Sequence, residues 1–308
     1  MKEFDRQLHE RVRRAEKVLT TYLPKEEEAS FCLNVVQAMN YSVLSGGKRL
    51  RPVLMESSFE LFHGENRDLL HPFMAAIEMI HTYSLVHDDL PAMDNDLYRR
   101  GRKTTHAVYG AGMATLAGDG LLNFAFETAL LSFAAAGNRA ETERVISALR
   151  ILAGKAGIYG MVGGQGADLY AEHDQALLAD EKQAEETLLY IHEHKTAAMI
   201  ESSLMIGALL AGATKEQVDS MEQVGSKVGL AFQMQDDILD VTGNEKTLGK
   251  PIGSDEKNEK VTCVSLFGLS EKKVKKLSDD AAALLMEQGA EKDSFLIDLI
   301  HFLIARQK

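Results

Sequence analysis

A chain of 308 residues with 45% apolar side chains, five prolines and no tryptophan can bury a substantial core, which excludes disorder as its main state. Its 46 acidic against 34 basic residues, a formal net charge of −12, exclude a general binder of nucleic acid or of an anionic membrane, because such partners demand a positive face. Two cysteines, Cys32 and Cys263, supply neither a disulfide framework nor a CxxC motif, so a reducing cytoplasm is the expected setting.

The first residues, MKEFDRQLHERVRRAEKVL, carry charges every few positions with no apolar core, so no secretory signal is expected. No stretch approaches the roughly 20 uncharged apolar residues of a membrane span. Apolar residues recur at three- and four-residue intervals and predict helices over Glu3–Thr21 and Glu26–Leu44. A glycine-started turn, Ser45-Gly46-Gly47-Lys48-Arg49-Leu50-Arg51-Pro52, then leads into a proline-initiated helix. Leu69 to Leu90 reads as a helix with Phe73, Ile77, Ile80 and Ser84 along one stripe, ended by Pro91. Further helices are predicted over Ala111–Ala135, Arg139–Ala153, Glu181–Ala211, Lys215–Val241, Glu271–Gln288 and Asp293–Arg306. Few runs alternate with period two, so the expected class is all-α.

Ala114 to Ala136 and Thr196 to Ala213 are apolar on more than one face. Such helices belong at the centre of a large bundle or at a subunit interface, so a homodimer is expected. No linker rich in Pro, Gly or Ser divides the chain and no repeat of about 20–50 residues occurs, so one domain over 1–308 is expected. Thr242 to Lys260 is the longest stretch without helical pattern.

Two acidic clusters stand out, Asp88-Asp89-Leu90-Pro91-Ala92-Met93-Asp94 and Asp236-Asp237-Ile238-Leu239-Asp240. Pro91 places Asp88 and Asp89 at a helix C-terminus, whose partial negative charge disfavours carboxylates without a cation. Asp236 and Asp240 share a helix face, where like charges repel. Either cluster alone reads as a solvated helix face or a cap. Their apolar flanks, Leu85-Val86 and Ala231-Phe232, argue instead for carboxylates against a core, paired or bound to metal. Oxygen-only ligands point to Mg²⁺, which takes one or two carboxylates and leaves its other positions to water and substrate phosphate. Two such clusters suggest a phosphate-bearing ligand held between them.

Cations for that phosphate stand at Lys48, Arg49 and Arg51, where the turn forms a plausible anion nest, and at Arg99, Arg100, Arg102 and Lys103. Lys195, Lys250 and Lys260 complete the set. Each alone reads as an ordinary surface cation. His81 lies two helical turns before Asp88, and His87 serves equally as a packing residue. Neither a Walker A loop, HExxH, nor a GxSxG elbow is present.

The segments GGKRLRP at 46–52, EMIHTYSLVHDDLPAMDNDLYRRGRKTTH at 78–106, LAGDGLL at 116–122, GGQGADL at 163–169, HKTAAMI at 194–200, GLAFQMQDDILDVTG at 229–243 and LGKPIGSDEKNEKVT at 248–262 together resemble the trans-prenyltransferases, the polyprenyl and farnesyl diphosphate synthases. The motifs follow the family's order across nearly the whole chain and look most like the bacterial farnesyl diphosphate synthases. The resemblance implies an all-α isoprenoid synthase fold, a helical bundle around a deep central cavity, a homodimer, isoprenoid diphosphate substrates and three Mg²⁺ ions.

Carried over by position, the resemblance implies that Asp88, Asp94 and Asp236 hold Mg²⁺, supported by Asp89, Asp237 and Asp240. It implies that Lys48, Arg51, His81 and Arg100 bind isopentenyl diphosphate. Arg99, Lys195, Thr196, Gln233 and Lys250 would contact the allylic substrate, with Gln165 and Asp168 lining the same cavity and Lys195, Thr196 and Gln233 acting in catalysis. Tyr83 and Ser84, roughly 6–7.5 Å before Asp88 along the helix, would set product length. An aromatic residue there closes the pocket at fifteen carbons in the family, so Tyr83 favours the farnesyl over the geranylgeranyl product. Two departures mark the loop after the first motif: Leu97-Tyr98 where Asp-Leu is usual, and Arg102-Lys103 for a common Lys-Pro. The alternatives are a geranylgeranyl diphosphate synthase, an HD-type metal phosphohydrolase suggested by His81 and His87-Asp88, and a non-catalytic subunit of a heteromeric prenyl synthase.

Overall fold

The sequence periodicity resolves into helices almost throughout the computed structural model, which describes residues 2–173, 180–242, 264 and 271–305. Its packing divides the chain into two units, Met1–Glu56 with Glu65–Leu149, and Ser57–Gly64 with Arg150–Lys308.

The first unit contains α1 (Lys2–Tyr22), α2 (Leu33–Val43), the start of α3 (Leu50–Leu61), α4 (Arg67–Asp88), the strands β1 (Tyr98–Arg99) and β2 (Arg102–Lys103), α5 (Thr105–Tyr109), α6 (Ala111–Leu130), α7 (Ser132–Ala135) and the start of α8 (Arg139–Ala156). Helix α4 is its axis. Leu69, Leu70, Phe73, Ile77 and Ile80 are fully buried, and large side chains of this kind each contribute about 1.5–3 kcal/mol. Small residues on α6, among them Ala114, Ala117, Gly118 and Ala125, let the two helices pack closely, while α1 and α2 also lie on α4. The helix ends at Asp88, as the clash of Pro91 with a helical preceding residue requires. Pro72 lies within α4, where it withholds one backbone donor.

In the second unit lie Ser57–Gly64, α9 (Met161–His173), α10 (Glu181–Ile191), a π-helical segment His192–Ala197, α11 (Ala198–Ala211), α12 (Lys215–Thr242), α13 (Glu271–Glu287) and α14 (Phe295–Ala305). Asp180 caps α10 by accepting from the backbone of Lys182 and Gln183. Helix α11 is buried on nearly every face, packs on α12, and ends where Gly212 takes φ +100°.

The structure corrects several sequence expectations. Glu26–Leu44 is a 3₁₀ turn at Glu26–Glu28 followed by α2. The side chain of Glu26 accepts from Gln37 and Asn40 at 3.3 and 3.4 Å, a fold-back that one continuous helix would forbid. Helix α9, absent from the predicted helices, forms across Gly163, Gly164 and Gly166. The expected Glu181–Ala211 helix is interrupted by the π segment. The pair β1–β2 is a two-residue hairpin, with Arg100 at φ +54° and Gly101 at φ +75°, the positive pair that the strand twist favours. Arg139–Glu172 is long and apolar enough by composition to cross a membrane, but residues 157–160 form a turn that divides it into α8 and α9.

Candidate active site

The first aspartate motif is built from the end of α4 and a reversing loop. The backbone N–H of Asp94 donates to the carbonyl of Asp88 at 2.9 Å, and those of Met93 and Asn95 donate to Leu90 at 2.9 and 3.1 Å. Pro91 and Ala92 lie in the loop between, which brings the backbone of Asp94 back to that of Asp88. Asp89 is buried, and Arg99 on β1 donates to its Oδ1 at 2.7 Å through both Nε and Nη2. Burial raises the pKa of Asp89, and the Arg99 bonds oppose that rise. The cation that a carboxylate at a helix C-terminus requires is therefore Arg99.

Beside it a cationic cluster forms in the same unit. His81 lies in the field of Arg51, Arg100, Arg99 and Arg49; burial and those four charges hold its pKa well below the ordinary histidine value. Burial also lowers Arg51 to about 10, with Glu78 opposing and Arg100 reinforcing the shift, and its buried Nε has no hydrogen-bond partner among the described residues. Arg100 donates to the carbonyl of Gly46. Its guanidinium lies so close over Gly47, at φ +151°, that a Cβ there would sit 2.5 Å from Nη1. The glycine pair thus makes room for Arg100. Lys48 is exposed.

Arg49 does not join this set as the anion-nest expectation required. It is buried at φ +49°, pairs with Glu78 at 2.9 Å and donates to the carbonyl of Val43 at 2.7 Å. Pairing with a buried carboxylate compensates its charge, so it braces the turn instead of facing a ligand.

A small open recess adjoins this region, lined in part by Tyr41, Ser45, Thr82, Asp89, Arg99 and Arg100. Tyr41 secures the hairpin: its hydroxyl donates to the carbonyl of Lys103 at 2.8 Å, and the Arg102 guanidinium lies 5.0 Å from its ring centroid. The departures at Arg102-Lys103 are thereby accommodated. Tyr83 is buried one turn and a half before Asp88, where burial and the Asp88 charge push its hydroxyl up to about 12. Ser84 is half-buried and donates to the carbonyl of His81 at 2.9 Å.

The second motif lies inside α12. Asp237 and Asp240 are buried, and Asp236 is partly exposed. A chain of polar groups leads from the π segment to Asp237. Thr196 donates to Oε1 of Gln233 at 3.0 Å, Nε2 of Gln233 donates to Asp237 at 3.3 Å, and Nε2 of His192 stands 3.8 Å from the other carboxylate oxygen. Burial lowers His192 to about 4, so this buried imidazole is neutral near pH 7. Lys195 pairs with Asp168 on α9 at 2.6 Å, while the buried Oε1 of Gln165 has no partner among the described residues.

Three glycines bring these helices together. A Cβ at Gly164 would meet the backbone of Lys195 at 2.2 Å, one at Gly229 would meet Ala197 at 2.3 Å, and one at Gly225 would meet Glu201 at 2.5 Å. The π segment presents Lys195 to α9 and Thr196 to α12 at these approaches; such segments recur at functional sites.

Within the first unit, then, Arg51, His81 and Arg100 converge, with Arg99 joined to Asp89 and Asp94 folded onto Asp88. Within the second, Lys195 meets Asp168, and Thr196 and Gln233 lead to Asp237. Lys250 and Lys260 lie outside the described residues. Sequence reasoning missed Tyr41 and His192. Tyr41 carries no local signal, whereas the glycine pair Gly225 and Gly229, one helical turn apart, announces a close partner for α12 near His192.

The polyprenyl synthetase family model matches residues 34–295. The farnesyl diphosphate synthase of Geobacillus stearothermophilus is 40% identical over 303 residues, covering 97% of this chain and 96% of that protein. A chloroplastic geranylgeranyl pyrophosphate synthase of Catharanthus roseus is 42% identical over 276 residues, covering 89% and 74%. A geranyltransferase from Helicobacter pylori, solved with magnesium and isoprenyl diphosphate, superposes with a TM-score of 0.78 at 31% identity, covering 96% and 95%. An all-α chain with both aspartate motifs, matched by family model, relatives and solved structure over nearly its whole length, belongs to the polyprenyl synthetases, the trans-prenyltransferases of farnesyl and geranylgeranyl diphosphate synthase type.

Proposed function

We propose that this chain is a Mg²⁺-dependent synthase that condenses isopentenyl diphosphate with dimethylallyl and then geranyl diphosphate, stopping at farnesyl diphosphate. The observation that carries this reading is the convergence of Arg51, His81 and Arg100 in the unit that holds the first aspartate motif. Such a cluster suits a diphosphate and little else in an acidic protein.

The donor set fits Mg²⁺. Asp88, Asp94 and Asp236 offer only hard carboxylate oxygens. Among the described residues no three His, Cys, Asp or Glu converge on a point, which fits an ion that takes one or two protein carboxylates and fills its shell with water and substrate phosphate. When bound, Mg²⁺ supplies positive charge to the diphosphate of the allylic substrate.

Lys48, Arg51 and Arg100 bind isopentenyl diphosphate by charge, and His81, neutral at pH 7, adds a hydrogen bond without a further cation. Arg99 keeps Nη1 for the allylic diphosphate, and Lys195 keeps donors beyond the one given to Asp168; Lys250 is the third cation in this role. The allylic C–O bond breaks with its electron pair leaving on diphosphate, and charge that develops there is met by these groups more strongly than in the ground state. Thr196 and Gln233, fixed to one another and to Asp237, present uncharged dipoles to the allylic cation. The double bond of isopentenyl diphosphate then forms the new C–C bond, and a proton passes to the released diphosphate, so no protein base is required. Tyr83 stands as the wall at fifteen carbons.

Purified protein incubated with Mg²⁺, labelled isopentenyl diphosphate and either dimethylallyl or geranyl diphosphate should yield labelled farnesyl diphosphate. No condensation with either primer overturns the reading. A twenty-carbon product would favour the geranylgeranyl alternative, which the Catharanthus relative supports at similar identity. A homodimer accords with Leu116, Leu130 and Leu131, which are about half exposed along α6 and at its end.

A further inference from the structure

The segment LAGDGLL at 116–122 has no role in the chemistry above, yet its middle faces the first aspartate motif. Gly118 packs directly on His87, the residue before Asp88: a Cβ at Gly118 would lie 2.1 Å from Nε2 and 2.3 Å from Cδ2 of that ring. Nε2 of His87 is 3.1 Å from the carbonyl of Thr115 and 3.7 Å from Oδ1 of Asp119. Three neighbouring features of α6, a carbonyl, a bare Cα and a carboxylate, therefore form a socket for one imidazole. On its other side, the His87 ring meets the buried ring of Tyr83 edge to face, with centroids 5.8 Å apart and an interplanar angle of 80°. His87 and Tyr83 are four residues apart on α4 and so share a face.

We infer that His87, seated in the Thr115–Gly118–Asp119 socket, is a positioning residue for Tyr83 and thereby helps set the length of the product. The inference rests on the proposal that Tyr83 closes the pocket. A ring on α4 is free to change rotamer wherever a neighbouring volume is open. The imidazole fills the volume on the Asp88 side of Tyr83, and the α6 socket holds the imidazole. The small residue at 118 is thus required, through His87, for the placement of the aromatic wall.

The test compares the product distribution, from geranyl and isopentenyl diphosphates, of four variants. Tyr83→Ala should raise the share of twenty-carbon product. His87→Ala empties the volume beside Tyr83 and should raise that share about 5-fold or more. Gly118→Ala, which favours helix and leaves every catalytic group unchanged, should do the same by evicting the imidazole. His87→Gln retains a donor for the Thr115 carbonyl and should fall between His87→Ala and the parent. If far-ultraviolet dichroism shows that His87→Ala does not fold, Gly118→Ala alone decides the outcome. Lengthening in Tyr83→Ala with an unchanged distribution in Gly118→Ala and in folded His87→Ala overturns the inference and leaves the stopper reading standing. No lengthening in Tyr83→Ala overturns both.

Discussion

The two aspartate motifs share a pattern of residues and differ in how their buried carboxylates are made tolerable. Asp89, at the end of a helix, is met by a full cation in Arg99. Asp237, in the interior of α12, is met by the amide of Gln233 and a neutral histidine. A helix C-terminus adds negative potential that only positive charge offsets, whereas mid-helix a carboxylate is stabilised by dipoles aimed at it. Identical motif letters thus stand in two electrostatic settings, one governed by charge and one by hydrogen-bond direction.

If both motifs hold metal, the largest expected effect is common to them. Asp88→Ala and Asp236→Ala should each lower kcat by about 10³ in the labelled condensation assay, the scale of a lost transition-state charge contact. Near-normal turnover in one of them would show that the motifs are unequal. The next effect separates the settings. Arg99→Gln should destabilise by about 2–4 kcal/mol in urea unfolding, because it strands a buried carboxylate, and raised salt should not mimic it. His192 gives a pH signature. Its folded pKa of about 4 lies below the unfolded value of about 6.5, so the unfolded state binds more protons between them. Stability of the metal-free protein should therefore fall by about 2–3 kcal/mol as pH drops from 6.5 to 4, and His192→Gln should flatten that slope. The smallest effect is Thr196→Val, which removes one donor from Gln233 and should lower kcat about 10-fold, with about 1 kcal/mol lost in unfolding. Leaving kcat intact there would show that the dipole chain has no catalytic part.

The helical class and the end of α4 near Asp88 were legible in the sequence, because spacing and proline placement carry that information locally, whereas the grouping of Arg51 with His81 and Arg100 came only with the resemblance to the family. The fate of Arg49 was not legible. It is chemically indistinguishable from Lys48 and Arg51 in a string, and only the positive φ of the turn and the distant Glu78 decide that it points inward. The break after Glu28 depends on Gln37 and Asn40, and the hairpin on Tyr41, all contacts between separate elements. Family membership also removes the phosphohydrolase alternative that His81 and His87-Asp88 suggested.

The π segment carries a consequence for insertion and deletion. A π turn holds one residue more than an α turn, so deleting any one residue of His192–Ala197 would yield an ordinary helix with better bond geometry. Because the π turn absorbs the surplus residue, the flanking helices would stay close to phase, and only the side chains within the segment would be re-aimed. The approaches of Lys195 to Gly164 and of Ala197 to Gly229 would then have to be met with α-helical spacing. The surplus residue aims side chains without turning the helices on either side, and the chain tolerates a less favourable turn because Lys195 and Ala197 serve different neighbours.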